Sequence, residues 1–223
     1  MRYWFYHFTK FVLWVIFRFG FGLEVRGREH VPKTGAVILA SNHVSFLDPP
    51  VVGTACPRRV AFMARADLFR HPALGLFLRG VHVIPLRRGE ADTGAVREAL
   101  ARLRGGEVVG IFPEGTRQVS GQLSAAKRGV GLLACAAQAP IVPVVVKGTH
   151  EALPPHARRL HRAKIRVAFG RAISYSSSSL PSEQAAATRR EFSGSPQRAG
   201  RSHYEALAAQ LTAEWRRLAE QLS

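Results

Sequence analysis

The sequence predicts a single α/β domain in which helices flank a central sheet that is largely parallel or mixed. Short apolar runs alternate with helical patterns over residues 24–175, as they do in proteins built from βα units. The chain has 223 residues, of which 47% are hydrophobic, and this is enough for one sizeable core. An aromatic-rich segment precedes the domain, and we expect it to form an amphipathic helix.

Six apolar runs are predicted to be strands: AVILAS (36–41), VAFMA (60–64), VHVIPL (81–86), EVVGIF (107–112), IVPVVV (141–146) and KIRVAFG (164–170). The clearest helix spans residues 93–104, because apolar side chains recur on one face and two glycines follow its end. A second helix is predicted over 127–138.

The end of the chain changes in composition. Residues 176–203 are rich in Ser, Ala, Gly and Pro without any period, so we expect a flexible segment. Residues 204–223 predict a terminal amphipathic helix that packs on the core, with an apolar stripe formed by Tyr204, Leu207, Leu211, Trp215, Leu218 and Leu222.

The first 23 residues, MRYWFYHFTKFVLWVIFRFGFGL, resemble a membrane segment, but two basic residues interrupt them. A transmembrane helix needs roughly 20 mainly apolar residues. At 100° per residue, one narrow stripe of the helix contains His7, Lys10, Trp14 and Arg18. Much of the remaining surface is apolar, through Phe11, Val12, Leu13, Val15, Ile16, Phe17 and Phe19.

This pattern predicts a helix over 3–21 that lies in the membrane interface, with residues 1–23 as a peripheral or monotopic anchor on the cytosolic face. A buried N-terminal helix and a short or tilted transmembrane anchor are the alternatives. No small-residue cleavage site follows the segment, which argues against a signal peptide.

The charge balance favours phosphate-rich partners. Thirty-two Lys and Arg residues against 15 Asp and Glu give a net charge of +17, which attracts anionic lipid, nucleotides or nucleic acid, although biased composition explains part of the excess. Cys56 and Cys135 show no paired spacing, so we expect reduced thiols in a cytosolic compartment. No Cys/His cluster or H-E-x-x-H motif is present, and we therefore expect no metal site.

The stretch NHVSFLDPP, residues 42–50, contains a candidate catalytic pair. His43 and Asp48 are five positions apart, about 140° around a regular helix, so they meet only if residues 42–47 form a loop. Asp48 precedes a proline and is a good N-cap, so one carboxylate oxygen can cap the helix while the other fixes the His43 tautomer. The free ring nitrogen would then accept a proton from a substrate. A purely structural pair is the alternative.

A covalent serine mechanism has little support. No G-x-S-x-G motif is present, and Ser45 lies within no recognisable nucleophile motif. We therefore expect His43 to act as a general base that deprotonates an acceptor hydroxyl, which then attacks an activated acyl group such as a thioester.

The stretch FPEGTR, residues 112–117, follows the apolar run VVGIF. Thr116 stands where a nucleotide-binding P-loop requires Lys, so a P-loop is not expected. Gly115 permits close backbone approach, and Arg117 can form a bidentate pair with a phosphate. Lys127 and the Arg87-Arg88 pair add positive charge at the carboxyl ends of strands, where ligands bind in parallel sheets. The alternative is a tight turn with a surface ion pair.

Together these stretches resemble the glycerolipid acyltransferases, specifically the 1-acylglycerol-3-phosphate acyltransferases, over about residues 24–170. The four sequence blocks of that family occur in order: His43 with Asp48, then residues 84–89 with Arg88, then residues 112–117, then residues 141–144. Residues 127–129 also resemble the K-x-G that follows the third block. Gln118 departs from the family's usual Ser.

The resemblance implies a general base, His43, oriented by Asp48. It also implies that Arg88, Arg117 and Lys127 bind the acceptor phosphate, with Arg87 as the alternative to Arg88. The acceptor site would be shaped by Glu114, Gly115 and Thr116.

The implied reaction moves an acyl chain from acyl-CoA or acyl-carrier protein to the sn-2 hydroxyl of lysophosphatidic acid on a membrane surface. It requires no metal or redox cofactor and no nucleic acid. Two alternatives stay open: another lyso-lipid acceptor, and a non-catalytic binder of anionic membrane or nucleic acid that uses the charge of +17.

Overall fold

The computed structural model describes residues 2–87, 92–157, 159–174 and 201–222. Within these residues a seven-stranded sheet is formed by β1 (Glu24–Arg26), β2 (Val37–Ser41), β3 (Val60–Arg65), β4 (Ile84–Leu86), β5 (Val108–Ile111), β6 (Ile141–Lys147) and β7 (Arg166–Phe169). Their spatial order is β1-β7-β6-β2-β5-β3-β4, and only the β6–β7 pair is antiparallel among these strands. The prediction of a largely parallel or mixed sheet is confirmed.

The described helices are α1 (Arg2–Val15), α2 (Asp48–Ala55), α3 (Pro72–Gly80), α4 (Thr93–Arg104), α5 (Gly129–Ala137), α6 (Thr149–Ala152) and α7 (Arg201–Gln221). A π-helical turn, Ile16–Gly20, continues α1, and short 3-10 turns span Arg28–His30 and Ala66–Arg70. Apolar side chains of α4, α5 and α7 cover one face of the sheet, while α2 and the π-helical turn cover the other.

The central strand β2 shows why the apolar runs of this sequence become buried strands. All five of its residues are buried. Successive side chains of a strand point to opposite faces, so Ile38 and Ala40 join one cluster of the core while Val37 and Leu39 join the other.

The predicted elements are present, and their boundaries differ where loops begin. The helix predicted over 93–104 has those ends, whereas α5 begins at Gly129 because Lys127 lies in the preceding loop. The strand predicted over 81–86 is shortened to Ile84–Leu86. Its first residues instead close the end of α3, where the Val81 and Val83 N–H groups donate to carbonyls of that helix.

The C-terminal helix belongs to the core of the domain. All six residues of its predicted apolar stripe are buried, as expected. The indole Nε1 of Trp215 donates to the carbonyl oxygen of Ala40 at 3.0 Å, which fixes the helix against the central strand. Most of the segment predicted to be flexible, 176–203, lies outside the described residues.

The N-terminal helix packs one face on the domain. Tyr6 and Phe17 are buried, and the Tyr6 hydroxyl accepts a hydrogen bond from the Val60 N–H at 3.0 Å. Lys10 lies on this same face, where its ammonium donates to the Cys56 carbonyl and burial lowers its pKa. The expectation that Lys10 lies in the membrane interface is therefore wrong, although His7, Trp14 and Arg18 of its predicted stripe are exposed.

The opposite face of α1 and the following turn is aromatic and open. Its most exposed side chains are Trp4 (70%), Phe11 (62%) and Phe19 (74%). Among the described residues, no helix combines the length and the apolar character needed to cross a bilayer.

Candidate active site

The two predicted site loops meet because their strands are neighbours. Strand β2 leads into residues 42–47, and β5, which pairs with β2, leads into the FPEGTR stretch. The Phe112 ring stacks on the His43 imidazole with 4.2 Å between ring centroids. The backbone N–H of Gln118 donates to the His43 carbonyl at 2.8 Å. The sheet thus places His43 directly against the start of the second loop.

The predicted contact between His43 and Asp48 is present. The imidazole Nδ1 lies 2.9 Å from Asp48 Oδ2. The Asp48 side chain is fully buried, whereas that of His43 is 19% exposed. Since a carboxylate oxygen accepts, Nδ1 donates, and the Nε2 lone pair of the neutral imidazole remains available for a substrate proton.

The rest of the Asp48 carboxylate is used differently from the prediction. Asp48 is the first residue of α2, and its Oδ2 accepts from the preceding Val44 and Ser45 N–H groups at 2.7 and 2.8 Å, so its predicted role as a side-chain N-cap is wrong. Its Oδ1 accepts from the Thr149 hydroxyl at 2.6 Å. These hydrogen bonds hold the carboxylate from both sides, so the orientation of the His43 ring is fixed.

Thr149 was not identified from the sequence. It begins α6, directly after β6, and it is fully buried. Its position after the strand that pairs with β2 is the only signal that points to it, because it lies about one hundred residues from Asp48 along the chain.

The catalytic loop, defined here as residues 42–47, is tied to the neighbouring strand by polar side chains. The Asn42 amide donates to the Val146 carbonyl at 3.0 Å and accepts from the Val146 N–H at 2.8 Å. The Ser45 hydroxyl donates to the Leu153 carbonyl at 2.7 Å. Ser45 is buried in this structural role, which agrees with the expectation that it is not a nucleophile.

The glycine in FPEGTR is required by its backbone conformation and lies against the end of the Lys127 side chain. Gly115 has a φ of +80°, a left-handed conformation that side-chain-bearing residues rarely adopt. A Cβ atom there would lie 2.7 Å from the Lys127 ammonium. Lys127 also donates its backbone N–H to the Pro113 carbonyl at 2.9 Å. The structure thus brings Lys127 to the FPEGTR turn, beside the exposed Thr116.

Arg117 connects the FPEGTR turn to the catalytic loop. Its guanidinium carbon lies 3.5 Å from the centroid of the Phe46 ring, a cation–π contact. Phe46 was not singled out in the sequence, although it lies between the two catalytic candidates. A guanidinium that stacks on a ring presents its donors in the plane of the stack, the geometry of a bidentate contact with a phosphate.

Glu114 lies beneath the turn and not on its surface. It is only 2% exposed, and Oε1 accepts from the Ser124 N–H at 3.4 Å. Among the described residues, no hydrogen-bond partner is found for Oε2. Burial raises the pKa of Glu114 to about 7, and the nearby charge of Asp48 adds to this effect. Glu114 therefore lies behind the turn, buried between the loops.

Of the two arginines of the second block, the structure describes Arg87, which lies farther from the FPEGTR turn. Arg88 is outside the described residues. Arg87 is exposed just past β4, an edge strand that is three strands from β2, or about 14 Å at the usual strand spacing. Its backbone N–H donates to Asp92 Oδ2 at 2.7 Å. Among the described candidates, Arg117 and Lys127 are the cations that lie at the FPEGTR turn.

An apolar cavity of about 340 Å³ adjoins the catalytic loop. It lies between α1, α2, α3 and β3, and Phe46 forms part of its wall. Representative lining residues are Leu13, Pro50, Gly53, Phe62, Met63 and Leu78. A cavity of this size and character suits an aliphatic chain.

Comparison with known proteins identifies the family of this chain. The family model for acyltransferases matches residues 22–147, which include every candidate from His43 to Lys127. The chain belongs to the acyltransferase family. The chain is therefore an enzyme of that family. The alternative that it is a non-catalytic binding protein is excluded.

Two relatives of this acyltransferase carry a more specific name. A 1-acyl-sn-glycerol-3-phosphate acyltransferase of Bacillus subtilis is 31% identical over 144 residues, 64% of this chain and 71% of the relative. The alpha enzyme of that name from Homo sapiens is 32% identical over 159 residues, 70% of this chain and 56% of the relative. The chain thus spans little more than half of the human enzyme.

The fold of this acyltransferase also matches a solved structure. The 1-acyl-sn-glycerophosphate acyltransferase PlsC from Thermotoga maritima superposes with a TM-score of 0.68 at 22% identity, covering 96% of this chain and 79% of that one. At this identity the match establishes a shared fold.

Proposed function

We propose that this acyltransferase moves an acyl chain from acyl-CoA or acyl-carrier protein to the sn-2 hydroxyl of 1-acylglycerol 3-phosphate and so forms phosphatidic acid. The observation that carries this proposal is the 2.9 Å contact of His43 with the buried Asp48, beside a turn that holds Arg117 and Lys127. The names of the relatives support the choice of acceptor. No metal or redox cofactor takes part.

The reaction needs one base and no covalent enzyme intermediate. Nε2 of His43 accepts the proton of the acceptor hydroxyl while the hydroxyl oxygen attacks the thioester carbonyl carbon. A carbon–oxygen bond forms, and the carbon–sulfur bond breaks as the tetrahedral intermediate collapses. The imidazolium then returns its proton to the leaving thiolate, which departs as a thiol. Asp48 stabilises the imidazolium through Nδ1 in the interval.

The enzyme would select its acceptor by binding the acceptor's phosphate. Arg117 offers a planar pair of donors next to the catalytic loop, and Lys127 offers a compact charge at Gly115. We assign the phosphate to these two cations, assisted by Arg88 or Arg87 of the second block. A phosphate held there would set the acceptor hydroxyl at a fixed distance from His43.

The acyl chain of the lipid substrate would lie in the apolar cavity. Phe46 lines the cavity and also stacks under Arg117, so one residue adjoins both the polar and the apolar part of the site. Burial of a chain there would remove apolar surface from water at about 25 cal/mol per Å².

The exposed aromatic face of α1 would place the enzyme at the cytosolic membrane surface. Trp4, Phe11 and Phe19 project from it, and aromatic side chains favour the headgroup region of a bilayer. Arg18 is exposed near the end of this face and would attract anionic lipid.

A matched panel of substrates tests the proposal. Purified protein is assayed with acyl-CoA and acyl-carrier protein against 1-acylglycerol 3-phosphate, lysophosphatidylcholine, lysophosphatidylglycerol and 1-monoacylglycerol, with His43→Ala as the inactive control. We expect the highest kcat/KM with 1-acylglycerol 3-phosphate, because it alone presents a phosphate monoester. Preference for a different lyso-lipid would contradict the proposed acceptor but not the proposed acyl-transfer chemistry. Absence of transfer with every pair would contradict the proposal.

A further inference from the structure

A second apolar surface lies on α3. This helix was not predicted from the sequence, and it contains none of the candidate site residues. Leu76 is 73% exposed, and Leu74 and Phe77 are each 38% exposed. Such a cluster on a short helix departs from the scattered single apolar residues of an ordinary surface. It is also adjacent to the cavity, which Leu74 and Phe77 help to line.

The packing of α3 explains why these side chains face outward. A Cβ atom on Gly75 would lie 2.4 Å from the Phe69 carbonyl oxygen, so the Gly75 side of the helix rests against the preceding turn. Since residues on a helix are separated by 100°, Leu76 and Phe77 are directed away from that contact. The helix begins in a defined way, with His71 as N-cap and Pro72 as first residue. Leu76 is thus presented by a preformed element.

The α3 surface is continuous with the aromatic face of α1. Phe5 of α1 meets Phe77 edge to face with 6.3 Å between centroids, and a Cβ on Gly80 would lie 2.6 Å from the Phe5 ring. Next to this contact, Trp4 and Phe8 stack at 5.3 Å and are 70% and 51% exposed. Two helices from distant parts of the chain therefore build one apolar surface.

The charges around α3 select an anionic partner. Arg70 and Arg79 are both exposed beside the apolar cluster. Residues 68–87 contain no Asp or Glu, and Asp67, just before them, is paired with Arg65. Apolar side chains ringed by basic ones are the composition that binds an anionic lipid leaflet.

We propose that α3 is a second membrane contact, which inserts Leu76, with Leu74 and Phe77, into an anionic leaflet beside α1. This inference rests on the proposed function, because it assumes that the substrate is a membrane lipid. Contacts by two helices fix the tilt of the domain on the bilayer, which contact by α1 alone would leave free. The rim of the cavity between α1 and α3 then faces the acyl chains, so a lipid chain can enter without crossing water.

A pair of matched leucines tests the inference. Leu76→Ser and Leu160→Ser each remove one exposed leucine, and Leu160 is 58% exposed on a loop after α6. We measure partition of the full chain onto vesicles of phosphatidylglycerol and phosphatidylcholine by co-sedimentation. Leu76→Ser should weaken partition roughly tenfold or more, the scale set by burial of one leucine. Leu160→Ser should leave it unchanged, and equal partition of the two variants would overturn the inference.

Two further measurements identify the occupant of this surface. An environment-sensitive fluorophore on Leu76→Cys should shift to the blue when vesicles are added, and one on Leu160→Cys should not. A shift that instead appears without vesicles, together with a dimer in size-exclusion chromatography, would assign the surface to a second copy of the chain and overturn the inference.

Activity separates this inference from the proposed function. Leu76→Ser should retain wild-type turnover on a short-chain, water-soluble lysophosphatidate and lose turnover on acceptor embedded in vesicles. If the wild type transfers no acyl chain yet the Leu76 label inserts, the proposed function fails and the membrane contact stands. If the wild type transfers acyl chains and Leu76→Ser acts normally on vesicles, only the α3 inference fails.

Discussion

Nδ1 of His43 lies 2.9 Å from Oδ2 of Asp48, and the same oxygen accepts the Val44 and Ser45 N–H groups. The carboxylate thus stabilises its own loop and orients the imidazole with one atom. Because the carboxylate is buried and the imidazole is partly exposed, the proposed base has a fixed orientation and remains accessible. Two variants separate these contributions.

His43→Ala should lower kcat by roughly 10² to 10⁴, the usual contribution of a positioned general base, without unfolding the protein. Asp48→Asn should be nearly as damaging, because an amide can present N–H where the imidazole needs an acceptor. Steady-state kinetics with circular dichroism on both variants provides the measurement. A folded His43→Ala enzyme that keeps most of its turnover would contradict the mechanism.

Thr149 offers a test of the second carboxylate oxygen. Thr149→Val has nearly the same shape but removes the hydroxyl that donates to Asp48 Oδ1 at 2.6 Å. Loss of a buried hydrogen bond to a charged group should cost about 1.5–3 kcal/mol of unfolding free energy and lower kcat. Thr149→Ser keeps the donor and serves as the control. If both variants lose the same activity, packing and not the hydrogen bond is what Thr149 supplies.

Arg117→Lys distinguishes phosphate recognition from catalysis. The substitution retains the charge but loses the planar fork and the stacking on Phe46. We expect the KM for 1-acylglycerol 3-phosphate to rise more than the KM for the acyl donor, with a smaller change in kcat. Arg87→Lys, at the sheet edge, should have a weaker effect. Equal changes in both KM values, or a larger effect at Arg87, would place the phosphate elsewhere.

The fold was predictable wherever an apolar period continued for several turns or a buried run was long. The stripe from Tyr204 to Leu222 has that property, and all six of its residues are buried. Strand β1 has three residues and α3 contains a central glycine, so neither shows a period strong enough to be assigned. Local sequence patterns therefore identify long, regular elements but not short or interrupted ones.

The N-terminal helix shows a different limit. The face that meets the domain contains Tyr6, Lys10, Leu13 and Phe17, which recur at helical spacing but mix polar and apolar types. A helical projection can group these residues, yet it cannot tell which group meets the protein and which meets the membrane. Lys10 is half-buried because the Cys56 carbonyl is available to it, and that carbonyl lies 46 residues away along the chain.

The contact within the His43–Asp48 pair was predictable because the two residues lie close in sequence. His43 and Asp48 share one loop, so their contact followed from the turn between them. Thr149 and the Phe112 ring reach the same pair from other strands, and the order of those strands is a property of the sheet. Their roles therefore required the tertiary structure.

Glu114 should make stability depend on pH in a predictable direction. Burial raises its pKa from 4.5 to about 7, so between these values the folded state binds a proton that the unfolded state has released. The stability contributed by this proton is present at low pH, declines as pH rises through this window and is absent above it.

The corresponding variant is Glu114→Gln, which cannot titrate. Both proteins are unfolded by denaturant at pH 5, 6, 7 and 8. The difference between their unfolding free energies cancels the contributions of the other titrating groups. The free energy of unfolding of the wild type minus that of the variant should fall between pH 5 and about pH 7 and level off by pH 8. Parallel profiles would show that Glu114 ionises normally.

The cavity should limit the length of the acyl chain that the enzyme accepts. Gly53, on α2, lines it, and a Cβ atom there would already lie 3.3 Å from the Phe62 ring. Gly53→Leu therefore places a side chain into the cavity and should shift preference toward shorter chains. Met63→Ala, on the wall formed by β3, shortens a lining side chain and so enlarges the cavity. It should shift preference toward longer chains.

The measurement is kcat/KM across a series of acyl donors and a series of lysophosphatidates that differ only in chain length. One extra or missing methylene in an apolar pocket changes the barrier by about 1–3 kcal/mol, so shifts of two methylenes are readily resolved. The series that shifts identifies the substrate whose chain occupies the cavity. Ala101→Leu, exposed on α4 and outside the cavity, is the matched control. If Gly53→Leu lowers kcat/KM by the same factor for every chain in both series, the cavity holds no acyl chain during the reaction.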